Sequence, residues 1–200
     1  MLIGEIDIDR PEGNPVLVWD SLVRIFHWSL AVFFLLAYFS EGSRSELHAH
    51  AGYTVVLLLL FRIIWGLIGS QFARFREFVV WPGKSLRYFV ALLRGKSESY
   101  LGHNPAGAAM IVALLLCVFL TGLSGVVLFA LEGSGPLANT FVISWPGNTV
   151  EQVHEIFANL SLVLVVIHVL GVMYSSYRER ENLAKSMITG TKKNRSGGQS

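Results

Sequence analysis

Residues 150–176 read VEQVHEIFANLSLVLVVIHVLGVMYSS. From Ile156 to Tyr177 no residue carries a formal charge, and about 20 apolar residues suffice for a helix to cross a bilayer. Two histidines, His154 and His168, sit in this stretch. An ionisable side chain is costly in hydrocarbon and marks a functional position. The two lie fourteen positions apart, or roughly 21 Å along a helix axis. Fourteen steps of about 100° fall roughly 40° short of four turns, so both point to nearly the same side.

The rest of the chain fits a membrane setting. Of 200 residues, 52% are hydrophobic and 15% charged, with a mean hydropathy of +0.52. A soluble domain carries about 25% charge. The formal net charge of +2 gives no reason to expect a nucleic-acid partner. A single cysteine, Cys117, rules out an intrachain disulfide, and no C-x-x-C-H haem attachment or cysteine-rich iron–sulfur pattern is present. Metal ligation therefore falls to His or Met. Cys117 reads as a packing residue.

Four segments are long and apolar enough to span: about 19–40, 47–70, 105–131 and 149–177. Between the second and third spans, Pro82-Gly83 starts a segment with Leu86, Phe89, Val90 and Leu93 at helical spacing. Lys84, Arg87 and Arg94 lie between them, the pattern of a short helix in the membrane interface. Asn104-Pro105 is an N-cap followed by a proline at the first helical position. The fold class expected is thus all-α: an integral membrane four-helix bundle with a short interfacial helix. The segments divide into an arm over 1–18, a bundle over 19–177 and a basic tail over 178–200. The arm is acidic and broken by Pro11 and Pro15, so it reads as a cytoplasmic segment rather than a cleaved signal.

Lys and Arg set orientation. Residues 72–104 hold Arg74, Arg76, Lys84, Arg87, Arg94 and Lys96, and the tail holds Arg178, Arg180, Lys185, Lys192, Lys193 and Arg195. The 41–46 turn has only Arg44, and 132–152 has no cation. Both termini and the long middle loop are therefore expected on the cytoplasmic side of a bacterial inner membrane.

This topology pairs the histidines. His27 lies about eight residues, roughly 12 Å, inside the first span from the cytoplasm, and His168 about ten residues, roughly 15 Å, from the same surface. His48 and His154 each open a span at the outer face. Two imidazoles on facing helices at equal depth suit a haem, because they fill both axial positions of the iron and leave it fit for electron transfer. Two such pairs give two stacked b-type haems bridging most of the bilayer. The bland alternatives are interhelical polar contacts or a proton relay. Gly52, Gly66, Gly69, Gly107, Gly122, Gly125 and Gly171 would admit flat macrocycles or neighbouring helices.

LVRIFHW, ELHAHAGYTVVLLLLFRIIWGLIG, ARFREF, YLGHNPAGA, VHEIFANL, VIHVLGVMYSS and RENLAKSMITG together resemble the prokaryotic cytochrome b561 family. The subgroup resembled includes the cytochrome b subunits of membrane-bound nickel–iron hydrogenases. The resemblance runs from Val18 to Lys193. It implies two haem b groups and exchange with membrane quinone, ubiquinone or menaquinone. It also implies axial ligands at His27 in FHW, His48 in the H-x-x-x-G pattern ending at Gly52, His154 in VHE and His168 in IHVLG.

Other residues invite roles around such sites. Arg24 is one turn before His27, and Arg62 is fourteen after His48. Both are candidate partners for haem propionates, since guanidinium binds carboxylate bidentately; the alternative is snorkelling. His103 is a candidate contact to propionate or quinone, or a polar residue at a helix start. His50 points away from His48 and reads as an outer-surface side chain, with ligation in place of His48 as its alternative. Arg44 is the lone cation near the outer site. Trp28, Trp65, Trp81 and Trp145 suit the aromatic belt, with Tyr53 and Trp65 alternatively lining a quinone pocket. Lys192, Lys193 and Arg195 are expected to attract anionic lipid, and 197–200 to be disordered.

The function expected is electron transfer between a periplasmic-side donor and the quinone pool. The donor would be a hydrogenase, another redox protein or a small reductant. The competing readings are a proton- or ion-coupled carrier using a histidine relay, and a membrane anchor subunit of a redox complex. Membrane lipid is a partner in every case, and a homodimer is left open.

Overall fold

A computed structural model describes residues 15–41, 46–78, 82–93 and 104–193. Four long helices dominate it: α1 (Ser21–Phe39), α2 (Glu46–Ile68), α5 (Pro105–Leu131) and α6 (Gly147–Glu179). Each is long and apolar enough to cross a membrane, and their ends lie within two residues of the spans expected from sequence. Two short helices, α3 (Phe75–Phe78) and α4 (Pro82–Leu93), follow α2, and α7 (Leu183–Thr189) follows α6. Helix α4 starts at the Pro82-Gly83 signal and packs against α5.

The starts of the helices are written in side chains. Asp20 caps α1 by accepting from the Val23 N–H at 2.8 Å, and Asn104 caps α5 by accepting from the Gly107 N–H at 2.7 Å, ahead of Pro105. Neighbouring spans pack pairwise: α1 on α2, α2 on α5, and α5 on α6.

The spans bury few side chains. Phe34, Val55, Leu59 and Val118 form a core cluster at mid-height, with Leu162 and Val165 of α6 packed on it. A second cluster, Val127, Ala130 and Val142, closes the end where α5 stops and α6 starts. Many large apolar residues face outward, Leu57, Leu67 and Leu170 among them. That is the expected arrangement where lipid is the solvent, because the backbone is satisfied within each helix and the apolar face needs no cover.

The arm and the tail meet. Strand β1 (Pro15–Leu17) pairs antiparallel with β2 (Thr191–Lys193), with Val16 opposite Lys192. Beside it the Gly190 carbonyl accepts from Val18 N at 2.8 Å and Trp19 N at 3.0 Å. Gly190 has φ 87°, and a Cβ there would press on the Trp19 carbonyl. Arm and tail carry no pattern that announces this pairing. Three-residue strands are too short to show alternation, and their pairing joins opposite ends of the chain. Lys192 also departs from expectation: it is 6% exposed and its Nζ lies 3.8 Å from Glu179 Oε2, so it faces protein rather than lipid headgroups. Residues 194–200, with Arg195, lie outside the described residues, as do Arg44, Trp81, Arg94, Lys96 and His103.

Candidate functional site

Helix α6 presents His154 and His168 to different partners at different depths. At the level nearer the β1–β2 ribbon, called the inner level, His168 faces His27 of α1, with ring centroids 6.4 Å apart and planes inclined by 54°. At the outer level His154 faces His48 of α2, with centroids 6.1 Å apart and planes inclined by 74°. A metal–imidazole nitrogen bond of about 2 Å on each side of one metal puts opposed ring centroids roughly 6 Å apart. Both pairs have that spacing.

The outer pair is also held from behind. His48 Nδ1 lies 2.9 Å from the Ala37 carbonyl, and His154 Nδ1 lies 3.0 Å from the Thr121 carbonyl and 3.3 Å from Ser124 Oγ. A ring that donates from Nδ1 to a carbonyl keeps the Nε2 lone pair for a metal, and such contacts fix both tautomer and orientation. Gly125 lies one residue beyond Ser124, and a Cβ there would stand 3.0 Å from His154 Cε1. At the inner pair, Trp28 meets the His27 ring edge-on at 5.3 Å. His27 Nδ1 is buried with no partner among the described residues.

Among the described residues, no group of three or more His, Cys, Asp or Glu converges as a metal site. Each pair therefore offers two protein ligands. Zinc sites take three or four. A macrocycle that supplies its own in-plane donors completes a two-imidazole site, and the residues present fit a haem.

Polar groups gather at the inner end. Asp20 Oδ2 accepts from Trp65 Nε1 at 3.2 Å and from the Ser70 hydroxyl, tying the start of α1 to the end of α2. Arg62 is buried; its Nη2 donates to the Ala73 carbonyl at 3.0 Å and its guanidinium lies over the Phe75 ring at 4.7 Å. Arg24 donates from Nη1 to the Ile188 carbonyl at 2.5 Å and from Nη2 to Ser21 Oγ at 3.0 Å. Each guanidinium keeps one buried nitrogen without a partner among the described residues, Arg24 Nε and Arg62 Nη1.

The glycines divide by use. A Cβ at Gly66 would overlap the Phe75 ring, at Gly69 Trp65, and at Gly122 Val56, so these three serve close protein packing. Gly107 lies beside its cap, Asn104. At Gly52 and Gly171, four and three residues beyond a histidine, a Cβ would meet nothing within 4 Å. His50 is exposed, with Nδ1 2.5 Å from the Glu46 carbonyl, and takes no part in the outer pair. The sequence reading missed Thr121 and Ser124. Ser124 is at most a hydroxyl in an uncharged span, and Thr121 acts through its backbone carbonyl, which no residue type reveals.

Four membrane-length helices clamping imidazoles in pairs at two depths define the class of transmembrane b-type cytochromes. Comparison with known proteins sharpens this: a family model described as "Prokaryotic cytochrome b561" matches residues 18–190, and the chain belongs to that family. It is similar to the "Probable Ni/Fe-hydrogenase B-type cytochrome subunit" of Rhizobium leguminosarum bv. viciae, at 26% identity over 94% of this chain and 91% of the relative. It is likewise similar to the "Probable Ni/Fe-hydrogenase 1 B-type cytochrome subunit" of Escherichia coli K12, at 26% identity over 90% and 92%. A third relative, of Azotobacter vinelandii, is 23% identical over 88% and 87%. No solved structure gives a significant match.

Proposed function

We propose that this chain carries electrons across the membrane between a donor on the periplasmic side and the quinone pool. In this reading His27 with His168, and His48 with His154, hold two b-type haems. The observation that carries it is the pair of imidazole spacings, 6.4 Å and 6.1 Å, at levels separated by fourteen residues of one helix.

Bound haem supplies one-electron chemistry at an iron closed to other ligands. The protein supplies position. Thr121, Ser124 and Ala37 orient the outer imidazoles, and Gly125 lets His154 sit close to α5. Arg24 Nε and Arg62 Nη1 are the donors left to meet anionic propionates at the inner site. His103, outside the described residues, remains a candidate for the same task or for quinone. The Lys and Arg distribution supports cytoplasmic termini, and the polar inner end around Asp20, Arg62, Trp65 and Ser70 favours that side for ubiquinone or menaquinone. The relatives' names favour a nickel–iron hydrogenase as donor.

The test is the haem content of the purified chain. Two b-type haems per chain are expected in the reduced-minus-oxidised spectrum. His27→Ala or His168→Ala should remove one, and His48→Ala or His154→Ala the other. A colourless preparation, or four variants that retain both haems, would overturn the reading.

A further inference from the structure

Counting seven residues from each of the four histidines leads to one level of the bundle: Phe34 on α1, Val55 on α2 and Ser161 on α6. This level lies midway between the imidazole pairs. Its neighbourhood is apolar, built on Phe34, Val55, Leu59 and Val118. Ser161 is 0% exposed, and its Oγ has no hydrogen-bond partner among the described residues.

Three other hydroxyls in the spans are satisfied in the ordinary way, by a carbonyl one turn back. Thr54 donates to His50 O at 2.8 Å, Thr121 to Cys117 O at 2.9 Å and Ser124 to Leu120 O at 2.8 Å. Ser161 does not. Alanine would fill nearly the same space without a buried hydroxyl, so close packing alone does not account for serine here.

Resting on the two-haem reading above, we propose that the Ser161 hydroxyl is a positioning group for electron transfer. It is a dipole set between the two redox sites that fixes the gap between their potentials. The component of a dipole along the line between two sites acts on them with opposite sign. Its hydrogen end favours an added electron, and its oxygen end disfavours one. In an apolar layer such a dipole is weakly screened. Its effect therefore falls on the difference between the two midpoint potentials and leaves their mean nearly unchanged. Ser161 touches neither electron donor nor acceptor in this role.

The experiment is a redox titration of the whole purified chain carrying both haems, as wild type, Ser161→Ala and Ser161→Thr. Ser161→Ala keeps the volume and is expected to retain two haems while changing the separation of the midpoint potentials. Ser161→Thr, which keeps the hydroxyl, is expected to restore most of the wild-type separation. A Ser161→Ala protein with two haems and an unchanged separation overturns the role, whatever happens to its melting temperature. So does a change that Ser161→Thr fails to reverse. A wild-type chain with fewer than two haems overturns the underlying reading instead, and is recognised before any variant is compared.

Discussion

Gly125 and His154 meet across the α5–α6 interface so closely that a Cβ on the glycine would stand 3.0 Å from the imidazole Cε1 and 3.3 Å from Nδ1. The contact places the backbone of one helix against the flank of a ring presented by the other, with Ser124 and Thr121 on the same stretch of α5.

Gly125→Val should therefore push the His154 ring off its carbonyl and out of line with His48. The expected outcome is loss of the outer haem with the inner one retained, read as half the wild-type haem content. Ser124→Ala is milder. Contacts that orient a metal-binding histidine are worth about 10- to 100-fold in affinity, and the 3.3 Å Ser124 contact is the longer of two. Its effect is expected near the lower end, measured as haem retention under detergent titration.

Asp20 joins three things at once: the α1 N-cap, Trp65 and Ser70. Loss of a cap costs about 1 kcal/mol, and hydrogen bonds to a charged acceptor add about 1.5–3 kcal/mol each. Asp20→Ala should lower unfolding free energy by about 4–7 kcal/mol, beyond what a cap alone accounts for. Reversible unfolding in mixed detergent measures it. Asp20→Asn keeps one oxygen for the cap but sets an amide NH2 against the Trp65 N–H, so it should recover only the cap's share.

Arg62 lies inside the bundle with one donor on Ala73 and one nitrogen unpartnered among the described residues. Arg62→Lys keeps the charge but gives up the fork geometry that suits a carboxylate. It is expected to shift the inner haem potential and leave the outer one in place. An equal shift of both haems would remove Arg62 from the inner site.

Gly190 holds a left-handed φ of 87° against the Trp19 carbonyl. Gly190→Ala combines about 1–2 kcal/mol of backbone strain with that overlap, and should open the ribbon between β1 and β2. Accelerated proteolysis near residues 15–20 and 183–193 checks this. Because Arg24 and Trp28 donate to the Ile188 and Met187 carbonyls, the environment of His27 should change with it, seen as a small spectral shift of the inner haem alone.

Much of this architecture was legible in the chain. Apolar length and Asn104-Pro105 need only local reading, and the span ends followed. Helical arithmetic on four histidines placed His27 with His168 and His48 with His154 because straight helices translate residue number into depth. What stayed hidden depends on relations that no local pattern encodes. Thr121 and Ser124 matter because α5 lies beside His154, and nothing in a uniformly apolar segment says which neighbour the Thr121 carbonyl and the Ser124 hydroxyl will meet. Arg62 reads as a lone charge, yet Ala73 and Phe75 occupy one side of it only because the chain turns back after Ile68. The ribbon joining Val16 to Lys192 was invisible for the same reason.

That ribbon has a bearing on biosynthesis. Residues 15–17 leave the ribosome before any of the four long helices, but their hydrogen-bonding partners, residues 191–193, are made only after all four. The first helix must wait in the translocating membrane with its entry strand unmatched, and such sequence-distant pairings are slow to form. Closure of the ribbon end of the bundle is thus a late event, and a nascent chain stopped before Gly190 lacks that latch.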